Sequence, residues 1–128
     1  EILVEVTLPV LNSGEGWAVN EFSRRHGDYG VAVVMGTLRL AGDGTISGAR
    51  VGACAISTVP VVLREVEELL IGEKPSLELF EEAGQRSKEA VTAVEDPTTP
   101  PEYRRHVLSG LVRRTLQEAL ERSEAHHE

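Results

Sequence analysis

The stretch VAVVMGTLRL-AGDGT-ISGARVGACAI, residues 31–56, contains two apolar runs rich in β-branched residues, with a Gly-Asp-Gly turn between them. Two such runs around a glycine-rich turn are typical of a β-hairpin. No GxGxxG or Walker pattern accompanies Gly42 and Gly44, and no helix pattern follows them directly. A tight turn that needs φ > 0 therefore explains these glycines better than a phosphate loop. The stretch predicts an antiparallel hairpin.

Two further strands are predicted before the hairpin. Residues 2–8 (ILVEVTL) show the alternation of a strand, which a proline then ends. Residues 17–22 (WAVNEF) lie between two turn-like segments and alternate so that Trp17, Val19 and Glu21 share one face. This second pattern is mixed, and it also allows a short helix.

The hydrophobic period becomes helical after Pro60. Gly72 is typical of a helix C-cap, and Ser76 is typical of the N-cap of the next helix. The predicted apolar stripes of these two helices are Val62, Leu63, Val66, Leu69 and Leu70, followed by Leu79, Phe80, Ala83, Ala90, Val91 and Val94.

A third helix is predicted after the proline-rich linker at residues 96–101. Thr99 and Glu102 fit a capping box, and Pro100 occupies the first helical position, where its missing N–H is harmless. The helix is expected to run from about Glu102 to Glu121. Its inward stripe is Tyr103, Val107, Leu108, Leu111, Val112, Leu116, Ala119 and Leu120.

Strands come first and helices later, without alternation, which favours an α+β fold over a doubly wound parallel sheet. We expect an antiparallel sheet of three to four strands packed against three helices. The length of 128 residues suits one domain, so residues 1–128 are predicted to form a single domain. The chain opens in a strand pattern without an initiator methionine or a signal peptide, and it is expected to be cut from a longer protein.

Charge and cysteine content exclude several classes of protein. Thirteen basic and 21 acidic side chains give a net charge of −8, which argues against a general nucleic-acid binder. A single cysteine, Cys54, excludes an internal disulfide and a cysteine-based zinc or iron–sulfur site, and its apolar neighbours favour a small buried side chain. So few cysteines suit a reducing compartment, and a cytoplasmic location is expected. No apolar stretch approaches the length of a membrane span.

Sequence motifs provide no complete catalytic constellation. The four histidines (His26, His106, His126 and His127) lack metal-site spacing, and no serine lies in a GxSxG setting. The strongest functional pattern is the charged loop at residues 24–29 (RRHGDY), where paired arginines could bind a carboxylate or another anion. The alternative is an ion pair of Asp28 with Arg24 or Arg25 that fixes the turn.

Three motifs in order resemble the C-terminal domain of carbon monoxide dehydrogenase medium subunits. Residues 2–9 (ILVEVTLP) look like its I-x-E-V-x-L/I-P start, and residues 21–29 (EFSRRHGDY) resemble its F-x-R-R-H-G-D-Y/F run. Residues 103–116 (YRRHVLSGLVRRTL) look like its Y-R-R-H-L and L-x-R-R-A-L final helix. The ordered set covers nearly the whole chain.

The resemblance implies the FAD-binding medium subunit of a molybdenum hydroxylase, with FAD held mainly by upstream domains absent from this chain. In such complexes electrons pass from Mo-pterin in a large subunit, through 2Fe–2S clusters in a small subunit, to FAD. The domain would close one side of the flavin pocket, with Glu21, Arg24 and Asp28 on the flavin-facing side. Glu21 departs from the lysine of many relatives, and its carboxylate would oppose negative charge on the reduced ring.

The resemblance also implies docking of the subunit in an oligomeric complex. Arginine is enriched at interfaces, so the arginines of the last helix are the expected docking residues: Arg104, Arg105, Arg113 and Arg114. The alternative is a free-standing, non-catalytic interaction or assembly module of the same fold. An independent hydrolase is disfavoured because no nucleophile–base pair is visible.

Overall fold

The predicted hairpin forms the centre of a four-stranded antiparallel sheet with the order β1-β2-β3-β4. The structure is a computed structural model, and it describes residues 1–125. The strands are β1 (Glu15–Ser23), β2 (Gly30–Leu40), β3 (Ile46–Cys54) and β4 (Val61–Val62). The helices are α1 (Arg64–Leu70), α2 (Leu77–Glu89) and α3 (Pro101–Ala125). The predicted α+β arrangement is therefore confirmed.

Alternate residues of the strands line the two faces of the sheet. The inner face packs against α3 and is buried; it includes Ala18, Val34, Leu38, Ala49, Val51 and Ala53. The neighbouring side chains Trp17, Val19 and Met35 lie on the opposite, outer face and are 43–53% exposed. Residues 17–22 thus form a strand, as the pattern predicted, rather than the short helix that it also allowed.

Helix α3 lies directly against β1, and glycine makes this possible. A Cβ atom on Gly16 would lie 1.9 Å from the carbonyl oxygen of Ala119 and 2.4 Å from the amide nitrogen of Ser123. The second close approach joins the helices, because a Cβ atom on Gly84 would lie 2.7 Å from the carbonyl oxygen of Ser109. Any side chain at these two glycines therefore forces α3 away from its neighbours.

The strand predicted at residues 2–8 does not form. None of the described strands pairs with this segment, and Ile2, Val4, Val6 and Leu8 are 65–92% exposed. The alternation indicates an amphipathic strand correctly, but a strand also needs a neighbour whose backbone groups it can pair with. The described part of the chain supplies no such neighbour.

Helix boundaries differ from the prediction where tertiary contacts override the local pattern. Val62 pairs with Gly52 as part of β4, so α1 begins only at Arg64. Helix α2 ends at Glu89, and Ala90, Val91 and Val94 of its predicted stripe lie in the following segment. Ser76 caps α2 as predicted, accepting a hydrogen bond from the Leu79 N–H at 3.0 Å. Helix α3 begins at Pro101 rather than Pro100.

A buried arginine joins three segments of the fold. Arg104 is 8% exposed and donates hydrogen bonds to the carbonyl oxygens of Val31, at 2.8 Å, and Ala55, at 2.9 Å. Ala55 has a φ of 62°, an unusual conformation that this bond helps to hold. Arg104 also forms an ion pair with Asp96. Hydrogen bonds from Thr98, together with Arg104, hold the pKa of Asp96 well below its usual range.

We expect Gly16→Ala to lower the free energy of unfolding by about 1–3 kcal/mol, because the backbone of α3 must move away from β1. Gly42→Ala is the matched control, since a Cβ atom there would meet nothing within 4 Å. It should change stability by less than about 0.5 kcal/mol. Urea unfolding followed by circular dichroism measures both values, and equal losses would contradict the close-contact explanation.

We expect Asp96→Asn to lower Tm at pH 7 and to show a smaller deficit at acid pH. The folded pKa of Asp96 lies below its ordinary value of 3.8, so its stabilisation is present above that pH. The stabilisation is lost as the pH falls further, through the folded pKa. Thermal unfolding of both proteins from pH 7 to the acid limit of folding tests this.

Asp43→Asn is the control for the preceding experiment. Asp43 accepts equivalent bonds from Thr45, but it lies in an exposed turn without a buried arginine beside it. Its replacement should lower Tm less than Asp96→Asn does. A deficit of Asp96→Asn that stays constant across the pH range would contradict the assignment.

Candidate functional site

The charged loop lies between β1 and β2, at one end of the sheet. Arg24 and Asp28 are in the loop itself and are exposed. Glu21 lies on β1, opposite Val33 of β2, and its side chain is also exposed. Because Glu21 alternates with Trp17 and Val19, it belongs to the outer face. The structure therefore brings the three predicted flavin-facing residues to one edge of that face.

Hydrogen bonds to backbone atoms, rather than an ion pair, hold the loop. The Ser23 hydroxyl donates to the carbonyl oxygen of Arg25 at 2.9 Å, and the Asp28 N–H donates to the same oxygen at 3.1 Å. The Asp28 carboxylate accepts from the Tyr29 N–H at 2.9 Å. Within residues 1–125, no ion pair joins Asp28 to Arg24 or Arg25, so the predicted alternative is wrong.

The first turns of α3 support the base of this loop. The rings of Phe22 and Tyr103 meet edge-on, with centroids 6.4 Å apart. Arg104 binds the carbonyl of Val31, just after the loop. Both ends of the loop are therefore fixed to one helix. Arg104 was expected on a docking surface, but its burial gives it this internal role instead.

The other three arginines of the expected docking set lie nearer the surface of α3. They pair with carboxylates of the helices: Arg105 with Glu102, Arg113 with Glu81, and Arg114 with Glu118. The Arg113 pair connects α3 to α2 at 2.8 Å and lowers the pKa of Glu81. These exposed pairs contribute little to stability and leave donor atoms available to a partner.

The loop can bind a polar ligand. Arg24 provides guanidinium donors and Asp28 provides a carboxylate oxygen, and neither side chain takes part in an ion pair among the described residues. These two residues fit polar contacts with a flavin. Glu21 does not fit the role of the lysine that it replaces, because an ionised carboxylate repels rather than attracts negative charge on the ring.

Sequence reasoning missed an apolar groove of about 390 Å³ on the outer face. Around it lie four exposed side chains, which we call the outer apolar patch: Trp17, Val19, Met35 and Val62. Leu11 also lines the groove. Arg122 stacks on the Trp17 ring at 4.4 Å and borders the patch. The available signal was that residues 17–22 and 31–40 carry apolar side chains in both alternating sets.

Other expected features have plain outcomes. Cys54 is half-buried at the end of β3. Within residues 1–125, no three histidine, cysteine or acidic side chains are close enough to hold a metal ion. None of the helices in the described part of the chain is long and apolar enough to cross a membrane. His126 and His127 lie outside the described residues.

Curated relatives match almost the whole chain. It is 33% identical over 125 residues to subunit beta of caffeine dehydrogenase from Pseudomonas sp. (strain CBB1), covering 95% of this chain and 41% of that protein. It is 32% identical over 123 residues to subunit alpha of the 6-hydroxypseudooxynicotine dehydrogenase complex from Paenarthrobacter nicotinovorans, covering 96% of this chain and 42% of that protein. The chain thus spans about two fifths of the length of these relatives.

The fold is shared with a carbon monoxide dehydrogenase from Hydrogenophaga pseudoflava, solved without the Mo-pyranopterin moiety of its molybdenum cofactor. The TM-score is 0.84 at 24% identity, over 90% of this chain and 40% of that chain. The family model for the CO dehydrogenase flavoprotein C-terminal domain matches residues 17–119, from β1 to α3. The resemblance seen in the sequence motifs is confirmed: this chain belongs to the CO dehydrogenase flavoprotein C-terminal domain family.

Proposed function

We propose that residues 1–128 are the C-terminal domain of the FAD-binding medium subunit of a molybdenum-containing hydroxylase or dehydrogenase. The family match over residues 17–119 carries this proposal. The relatives support it, because both are named as subunits of dehydrogenases and both are more than twice as long as this chain. The FAD-binding domains would precede this one in the longer subunit.

The domain closes one side of the flavin pocket with the loop between β1 and β2. Arg24 donates to, and Asp28 accepts from, polar groups of the cofactor or of its binding domain. FAD, when bound, supplies the electron-accepting chemistry. The buried Arg104 fixes the loop at Val31, so the polar groups are positioned before the flavin arrives.

Glu21 adjusts the electrostatic environment of the flavin. Its exposed carboxylate lies on the outer face at the edge next to the loop. A negative charge there disfavours the anionic reduced ring, where a lysine would favour it. This member of the family would thus hold its flavin at a lower potential than relatives with lysine.

The subunit works in a complex with a molybdenum-binding large subunit and an iron–sulfur small subunit, in the cytoplasm. Electrons pass from the molybdenum centre through the 2Fe–2S clusters to FAD. Arg105, Arg113 and Arg114 present donors on the surface of α3 for docking. The substrate is selected at the molybdenum site, in another chain.

Purification of the natural protein with an antibody to this domain tests the proposal. We expect a flavin absorbance spectrum, a polypeptide much heavier than 13.9 kDa and two co-purifying subunits. Absorbance and intact-mass measurements give the result. A single colourless polypeptide of 13.9 kDa would overturn the proposal and identify a free-standing interaction module of the same fold.

We expect Arg113→Glu with Arg114→Glu to weaken binding of the natural subunit to its partners by at least about tenfold, because opposed charges are introduced at the interface. Arg86→Glu is the matched control, since Arg86 pairs with Glu82 on the surface of α2. Titration of the partner subunits measures the Kd of each variant. Unchanged Kd values in the double variant, with the fold intact, would exclude α3 from docking.

A further inference from the structure

The N-terminal arm, residues 2–11, is an apolar strand without a neighbour. Ile2, Val4, Val6 and Leu8 occur at every second position and are 65–92% exposed. An extended segment with one apolar side and free backbone groups is unfavourable in water, and it readily pairs with another sheet. Within residues 1–125, no strand provides that pairing.

The arm leads onto the outer apolar patch. Leu11, at the end of the arm, lines the groove between Trp17 and Val62. Arm and patch are therefore adjoining parts of one exposed apolar surface. Glu21 lies on the same sheet face as the patch, so this surface is also continuous with the proposed flavin side.

Alignment with relatives separates the arm from the domain itself. The family match begins at Trp17 and leaves the arm outside. The alignment to the Paenarthrobacter dehydrogenase subunit, by contrast, covers 96% of the chain and omits only about five residues. More than half of the residues before Trp17 must therefore be aligned with that longer protein. The arm is thus shared with relatives, although it is not part of the domain's own family pattern.

We propose that the arm and the outer apolar patch together form the surface on which the flavin-carrying region of the same longer subunit packs. The arm adds a strand to a sheet of that region, and Trp17, Val19 and Met35 pack beneath it. This inference rests on the proposed function. Covalent connection through the arm holds that region at a high effective concentration over the patch, an advantage that a second copy of this chain lacks.

Hydrogen–deuterium exchange tests the proposal by comparing the natural full-length subunit with the 128-residue chain. Amides of residues 3–8 should exchange at least about tenfold more slowly in the full-length subunit, because they become hydrogen-bonded in a sheet. Trp17 to Glu21, at the edge of the patch, should also be slower. Residues 79–88 of α2 are the internal control and should exchange equally in both proteins.

Substitutions in the full-length subunit show whether this surface holds the flavin-carrying region. Val6→Asp and Met35→Glu should restore fast exchange in the arm and increase flavin loss on gel filtration. Leu77→Glu is the matched control, because Leu77 is 64% exposed on α2, away from the patch. In the 128-residue chain all three variants should unfold at the wild-type temperature, since each replaced side chain is exposed.

The possible results separate the two proposals. A full-length protein without flavin would overturn the proposed function and this inference together. Flavin-containing subunits whose arm and patch exchange as fast as in the 128-residue chain would overturn this inference alone. Protection that appears in the 128-residue chain as a dimer forms would assign the surface to a second copy, and would also overturn it.

Discussion

The contact between the α3 backbone and β1 at Gly16 is the constraint on which the other features depend. A strand and a helix rarely approach so closely, and here even one methyl group would meet the carbonyl of Ala119 at 1.9 Å. The contact fixes the height of α3 above the sheet, and its apolar stripe then fills the inner face. It also aligns the start of α3 with the far end of the sheet, where Tyr103 and Arg104 reach the loop between β1 and β2.

Polar groups strengthen the same helix–sheet interface. Asn20 is 9% exposed on the inner face, and its amide donates to the Thr115 hydroxyl at 3.2 Å and to the Glu118 carboxylate at 3.1 Å. A buried amide needs such partners, so this pair of bonds specifies one position of α3 along β1. Packing at Gly16 sets the distance, and hydrogen bonding at Asn20 sets the register.

Local patterns predicted the elements of the fold, but not the contacts between them. The hairpin at residues 31–56 and the cap at Ser76 follow from short-range chemistry, and both are present. Arg104, beside Arg105 on a helix, resembles a surface residue in the sequence. Its burial depends on the carbonyls of Val31 and Ala55, which are 73 and 49 residues away. A dipeptide of arginines carries no information about such distant acceptors.

The same reasoning explains why the arm and the outer patch were difficult to interpret from the sequence. Alternation in residues 2–8 shows that a strand has an apolar side, but it does not show which sheet the strand joins. The structure resolves this by elimination, because the inner face is already filled by α3. Apolar side chains on the outer face and in the arm then remain exposed on one side of the domain, opposite the arginines of α3. Under the proposed function, this separation lets the flavin-carrying region and the partner subunits bind without competing for the same surface.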